Sequence, residues 1–146
     1  MKKQAIVAAF TLAAAFAAEA QIKPETQIKQ RRAGYAVMNF NFSSLAAMAE
    51  GKKPFNKDEA ARNADLVAAL SDYMKGFFGE GTDKGETKAK PEIWQTRSDF
   101  DAKMDKMISE ARKLPAAARA DLPALKTAVT DAGAACKACH DDYRAK

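Results

Sequence analysis

One spacing dominates the chain and limits its fold. Along four segments, residues suited to a buried face recur in alternating steps of three and four. Such steps place side chains on one side of an α-helix, whereas a half-buried strand needs strict alternation. The series are Ile28, Arg31, Tyr35, Met38, Phe42, Leu45, Ala49; Leu66, Leu70, Tyr73, Phe77; Trp94, Arg97, Phe100, Met104, Met107, Ala111, Leu114; and Leu122, Leu125, Val129, Ala132, Cys136, Cys139, Tyr143.

Breaks and caps between these series predict where the helices start and stop. Asn56, followed three residues later by Glu59, is typical of an N-cap with its capping-box partner, and Asp121 is a second candidate N-cap. Expected stops are Lys53-Pro54, the glycine-rich stretch 79–85 and Pro115, whereas Pro91 and Pro123 suit first helical turns. Short connections between four amphipathic helices predict an all-α, antiparallel four-helix bundle in one domain.

The last series carries the only cluster of reactive side chains, C-K-A-C-H at residues 136–140. The spacing C-x-x-C-H is typical of the covalent attachment site of a c-type haem, in which Cys136 and Cys139 form thioethers and His140 ligates the iron. Residues three and four apart lie on one side of a helix, so all three side chains can meet one planar ring. The pattern predicts a haem inside the bundle, near its end.

Other chemistry for the two cysteines needs partners that the sequence lacks. A closed zinc site takes four ligands, so Cys136, Cys139 and His140 would have to recruit Asp141 or Asp142. A thioredoxin-like redox pair belongs at the start of a helix after a strand, not near the end of a helical series. A local disulfide and a bundle without haem stay open as alternatives.

The N-terminus has the features of an export signal. Lys2 and Lys3 precede an apolar stretch at residues 5–18, and Ala18-Glu19-Ala20 offers a cleavage site before Gln21. The apolar stretch is too short to span a bilayer, although an uncleaved anchor is the alternative. We expect residues 1–20 to be a cleaved signal peptide and residues 21–146 to be an exported bundle that is not a membrane protein.

Charge and catalytic patterns exclude other function classes. The 24 Lys and Arg against 19 Asp and Glu give a net charge of +5, without a run of five like charges, so nucleic-acid binding has no support. No nucleophile and base pair, paired carboxylates or phosphate-binding glycine loop stands out. The sequence therefore favours a binding or redox protein over an enzyme.

Four stretches together resemble the cytochromes c′, the class II c-type cytochromes. They are I-K-Q-R-R-A-G-Y-A-V-M in the first helix, F-G-E-G-T in the loop, K-P-E-I-W opening the third helix, and C-K-A-C-H-D-D-Y-R at residues 136–144. The resemblance covers the whole chain after the signal peptide. It implies one covalent haem c, with His140 on one side of the iron and an open apolar pocket on the other, which binds nitric oxide and carbon monoxide.

The resemblance also implies a homodimer and a periplasmic location. Phe40 and Met48, expected on the outer faces of the first helix, are candidates for a dimer interface or for a second row of core residues. A redox partner protein is implied without being identified.

Further site residues follow from the resemblance, position by position. Arg31 corresponds to an arginine that pairs with a haem propionate, and Phe78 to a residue of the distal pocket. Arg144 corresponds to a basic residue beside the proximal imidazole; its alternative is a solvated residue at a helix end. Phe78 is equally a candidate for an ordinary core aromatic.

The sixth iron position decides between two functions. Low-spin members of the class place a methionine ligand four residues after the arginine, and that position is Tyr35 here. A neutral phenol is a poor ligand, so we expect Tyr35 to cover the distal face, with phenolate ligation as the alternative. Met38 is one turn away and is either a rival ligand or core packing. An open iron predicts gas binding, whereas a sixth ligand predicts a pure electron carrier.

Overall fold

Four long helices form the framework of the protein. The computed structural model describes residues 22–146, so the predicted signal peptide lies outside the described residues. The long helices are α1 (Pro24–Ala49), α2 (Lys57–Met74), α4 (Arg97–Ala111) and α6 (Leu122–Tyr143). Two short helices, α3 (Glu92–Gln95) and α5 (Leu114–Ala120), and a 3₁₀ turn at Lys75–Phe77 complete the helical segments. The expected all-α four-helix bundle is confirmed.

Helix α1 packs against α2 and α6, and α4 packs against α6 and α2. The bundle therefore closes on itself, with α5 covering α2 and α6 at one end. The other end is rich in aromatic rings, where Phe78 lies 4.8 Å from Phe100 and Phe100 lies 5.3 Å from Tyr143, centroid to centroid. Within residues 22–146, no helix is long and apolar enough to cross a bilayer.

The predicted N-caps form as expected. The Asn56 side chain accepts a hydrogen bond from the Glu59 amide at 2.9 Å, and the Asp121 side chain accepts one from the Ala124 amide at 2.8 Å. The capping box at Asn56 is only half made, because the Glu59 carboxylate turns instead to Lys53 and to the Ser44 hydroxyl. This contact fixes the connection between α1 and α2.

The predicted buried face of α2 was right at two positions, since Leu70 packs against the core and Phe77, in the turn after α2, is buried, but it was wrong at the other two. Leu66 and Tyr73 are 39% and 65% exposed. The buried face consists mostly of small residues, Ala60, Ala64, Val67, Ser71 and Met74. Small side chains let α2 approach its neighbours closely, and Leu66 and Tyr73 lie on the outer face.

Two further expectations need correction. Met48 does not lie on an outer face but is fully buried, as its alternative as a core residue predicted, whereas Phe40 is 76% exposed. Pro115 does not stop the third helix, because α4 already ends at Ala111 and Pro115 lies in the first turn of α5. Proline at such a position lacks only an amide that would be unpaired anyway, so it starts a helix as readily as it ends one.

The crossing of α1 and α2 depends on a residue without a side chain. A Cβ atom added at Gly34 would lie 2.3 Å from the Sδ atom and 2.6 Å from the Cε atom of Met74. Met74 is almost fully buried, so its thioether fills the space that a side chain at position 34 would need.

Candidate functional site

A cavity of about 970 Å³ opens at the aromatic end of the bundle. Its walls come mainly from α1, α4 and α6, with Val67 of α2, Phe78, residues 85–89 of the loop after α2, and Ile93 of α3. This volume lies at the upper end of the roughly 300–1,000 Å³ of sites that enclose small molecules and cofactors. All eight site residues predicted from the sequence line this one cavity: Arg31, Tyr35, Met38, Phe78, Cys136, Cys139, His140 and Arg144.

The two cysteines lie on the α6 wall as free, half-buried thiols. Burial raises the pKa of Cys136, and burial together with the charge of Cys136 raises the pKa of Cys139 to about 11. Both groups are therefore neutral thiols at neutral pH. They are not joined to each other, which leaves both available for the thioether bonds that the motif predicts.

His140 lies at the rim of the cavity, exposed but partly desolvated by the wall. This desolvation, followed by the positive charge of Arg144, lowers the pKa of His140. The neutral imidazole is the form that binds a metal ion. Arg144 lies beyond the end of α6, where its amide donates a 3.1 Å hydrogen bond to the His140 carbonyl.

Tyr35 projects from α1 into the same cavity, where it is half-buried. Its hydroxyl lies 3.8 Å from the sulfur of Met104, and its ring meets Phe78 edge-on at 6.3 Å. Burial, followed by the nearby thiols, raises the pKa of Tyr35 well above its usual range. A phenolate is therefore costly at this position.

Met38, one turn further along α1, is buried in the core cluster. Met38 also lines the cavity, so its position is compatible with both predicted roles, iron ligand and core residue. Phe78 is buried in the aromatic cluster that lies at the cavity.

Arg31 is a buried cation at the edge of the cavity, only 3% exposed. Its guanidinium donates to the Phe77 carbonyl at 3.0 Å, to the Thr82 hydroxyl and carbonyl at 3.2 and 2.9 Å, and to the Thr87 hydroxyl at 2.7 Å. These acceptors are all neutral, and none of the ion pairs within residues 22–146 includes Arg31. The Arg31 guanidinium also lies 4.6 Å from the centre of the Phe78 ring.

The sequence did not reveal which side chains hold the loop after α2. Three successive carbonyls are each bound by a side chain from another element: Phe77 by Arg31, Phe78 by Arg97 at 2.8 Å, and Gly79 by the Trp94 indole at 3.0 Å. Arg97 was predicted only as part of a helical face. Loop contacts of this kind follow no fixed spacing, so periodicity could not identify them.

These residues fit the haem predicted from the motif. Two thiols and one imidazole share a largely apolar cavity with a buried cation that has no carboxylate partner among the described residues. An uncompensated buried charge is costly, and the anionic propionate of a haem would compensate it. Within the same residues, no three His, Cys, Asp or Glu side chains converge to hold a metal ion, so the zinc alternative lacks a ligand set.

Comparison with known proteins identifies the family of this chain. The family model described as Cytochrome C' matches residues 26–144. Cytochrome c' of Rubrivivax gelatinosus is 41% identical over 126 residues, which cover 85% of this chain and 98% of the relative.

Solved structures give the same result. Cytochrome c' from Thermochromatium tepidum superposes with a TM-score of 0.82 at 40% identity, covering 87% of this chain and all of the other. A nitric oxide complex of a mutant of cytochrome c prime from Alcaligenes xylosoxidans superposes with a TM-score of 0.79 at 36% identity, covering 86% and 98%. The chain therefore belongs to the cytochrome c′ family.

Proposed function

We propose that this chain is a periplasmic c-type haem protein with a high-spin, five-coordinate iron that binds nitric oxide and carbon monoxide and also transfers electrons. One observation carries the proposal: Cys136, Cys139 and His140 share a cavity with Tyr35, at the position where low-spin members of the class place a methionine ligand. The proposed cofactor is one haem c per chain.

The bound haem would supply an iron that takes a diatomic gas as its sixth ligand or exchanges one electron. Cys136 and Cys139 would hold the ring by adding their S–H bonds across its two vinyl groups. His140, kept neutral by partial burial and by Arg144, would bind the iron through a ring nitrogen. Arg31 would pair with a propionate, since its hydrogen bonds to residues 22–146 use the four N–H groups of its two terminal nitrogens and leave the Nε–H.

Tyr35 would act as a lid on the distal side and not as a ligand. The raised pKa of Tyr35 opposes the phenolate that ligation requires. Its hydroxyl is directed to the sulfur of Met104. Because nitric oxide and carbon monoxide bind iron well without a hydrogen-bond donor, an apolar pocket in which the phenol is engaged by Met104 favours them over oxygen. The relative from Alcaligenes xylosoxidans, solved as a nitric oxide complex, supports this ligand class.

An alternative function is that of a pure one-electron carrier with a six-coordinate, low-spin iron. Met38 supports it, because this methionine lines the cavity one turn from Tyr35 and a thioether is a known haem ligand. No catalytic constellation is needed for either function, and we propose that the protein is not an enzyme.

The optical spectrum of the matured protein distinguishes these functions. We expect broad, high-spin bands in the ferric and ferrous states, and an immediate change when carbon monoxide or nitric oxide is added to the ferrous protein. A sharp low-spin spectrum with a methionine-to-iron charge-transfer band, indifferent to carbon monoxide, would instead favour ligation by Met38. A colourless preparation from a host able to mature c-type haems would contradict both functions.

We also propose that the protein forms a homodimer through the outer faces of α1 and α2. These faces expose several large apolar side chains, Val37, Phe40, Leu66 and Tyr73. Exposed aromatic residues frequently anchor protein interfaces.

Sedimentation equilibrium tests this interface. We expect a dimer for the wild-type protein and at least a roughly tenfold weaker association for Phe40→Asp or Tyr73→Asp, since truncated interface anchors cost about 2 kcal/mol or more. Thr127→Asp, at an exposed position on α6, adds the same charge away from the proposed interface and should leave the mass unchanged. Equal effects of all three substitutions on the association would contradict a dimer interface on α1 and α2.

A further inference from the structure

Residues 87–90 join the two helices on which the proposed haem site depends. They form the last part of the loop after α2 and lie between Arg31 on α1 and the end of α6. We propose that this segment, here called the strap, positions His140, with Thr87 and Lys90 as positioning residues. The inference rests on the proposed ligation of iron by His140 and extends it to residues that do not touch the iron.

The first link joins α1 to the strap. The Arg31 guanidinium donates a 2.7 Å hydrogen bond to the Thr87 hydroxyl, which also accepts a 3.0 Å bond from the Ala89 amide. One oxygen therefore connects a buried side chain of α1 to the backbone of the strap. Arg31 is itself fixed by Phe77 and Thr82, so the connection starts from an immobilised group.

The second link joins the strap to the end of α6. The Lys90 amide donates to the Tyr143 carbonyl at 3.0 Å, and the Ala145 amide donates to the Lys88 carbonyl at 2.8 Å. Ala89 and Arg144 thereby form an isolated antiparallel bridge. Since Arg144 follows His140 by one turn, the bridge fixes the helical turn that carries the proposed iron ligand.

Lys90 also completes the hydrogen bonds of this helix end. The last four carbonyls of a helix have no partner within it. The Lys90 ammonium donates to two of these carbonyls, on Asp141 at 3.3 Å and on Asp142 at 2.9 Å. The Lys90 backbone amide donates to a third, the Tyr143 carbonyl. The fourth, on His140, is bound by the Arg144 amide. A cation here also interacts favourably with the negative end of the helix dipole.

The consequence is a mechanical connection between the two walls of the cavity. Arg31 lies one turn before Tyr35 on α1, and the strap connects it to the turn of His140 on α6. Loosening either link should free the last turn of α6 and broaden the range of directions that the imidazole adopts. The strap would thus set the orientation of the His140 imidazole toward the proposed iron.

The test compares haem-loaded variants with matched controls. Lys90→Met keeps the aliphatic stem and the amide but removes the ammonium, and Thr87→Val removes only the hydroxyl. Lys84→Met replaces an exposed lysine in the preceding loop. Thr130→Val replaces an exposed threonine of α6 whose hydroxyl bonds only within its own helix, to Lys126.

Two measurements are needed: hydrogen exchange of the Ala145 amide, and the iron–histidine stretching band in the resonance Raman spectrum of the ferrous protein. We expect about tenfold faster exchange in Lys90→Met, from the loss of charge-assisted bonds at the helix end. We also expect a shifted or broadened stretching band in both strap variants, and neither effect in the controls.

Each outcome has a distinct meaning. Unchanged exchange of the Ala145 amide together with an unchanged iron–histidine band in the strap variants would overturn the proposal that the strap holds α6. Faster exchange with an unchanged band would show a purely structural contact and would overturn the positioning role. Absence of any iron–histidine band in the wild-type protein would instead contradict the proposed five-coordinate iron with His140 as its ligand, while the exchange result would still report whether the strap holds α6.

Discussion

Arg31→Met is expected to lower the free energy of unfolding of the haem-loaded protein by about 3 kcal/mol, because hydrogen bonds from a charged donor are worth about 1.5–3 kcal/mol and buried acceptors would lose their partner. The acceptors are two carbonyls and two hydroxyls on Phe77, Thr82 and Thr87. They all belong to the stretch that follows α2. The loss would therefore loosen this wall of the cavity.

Denaturant unfolding followed by circular dichroism measures this effect. Arg32→Met is a matched control on the same helix, since Arg32 is exposed and its one ion pair within residues 22–146 is with exposed Glu86. A surface pair of this kind contributes about 1 kcal/mol or less. Arg31→Lys should recover only part of the loss, because an ammonium cannot reach four acceptors in a planar arrangement. Equal stability of the Arg31 and Arg32 variants would contradict the central role of Arg31.

Tyr35→Met is expected to convert the iron from high spin to low spin and to weaken carbon monoxide binding at least about tenfold, because an internal ligand must be displaced before the gas can bind. The substituted position lies on the cavity wall of α1, where low-spin members of the class carry their methionine ligand. Thioethers are established haem ligands.

The absorption spectrum and a carbon monoxide titration measure this conversion. Tyr35→Phe is the control, since it retains the ring and removes only the hydroxyl that is directed to Met104. We expect this variant to stay high-spin and to bind the gas. A Tyr35→Met protein that remains high-spin would show that a side chain at this position does not reach the iron, and the proposed lid role of Tyr35 would lose its basis.

Periodicity predicted the bundle because the long helices bury well-defined faces. In α6, the predicted series from Leu125 to Tyr143 is buried or half-buried, and Asp121 caps the helix. In α2 the same reasoning failed at two of four positions, because the buried face is made mostly of small residues. The prediction followed the spacing of large apolar residues and therefore selected Leu66 and Tyr73, which lie on the outer face.

The candidate site could be predicted only where its residues share one motif or one helix. The cluster Cys136, Cys139 and His140 is local, and Tyr35 follows Arg31 by one turn. The partners of Arg31, by contrast, lie 46 to 56 residues away in a loop without periodicity. Their identity depends on tertiary structure, as does the contact between Lys90 and the end of α6.

The contact between Gly34 and Met74 has a consequence for sequence change. The thioether of Met74 occupies the volume that any side chain at position 34 would claim. A larger residue at position 34 must displace the flexible end of the buried Met74 side chain, so the energetic effects of changes at the two positions are not additive. The two positions should thus vary together through evolution, as a pair that conserves the distance between α1 and α2.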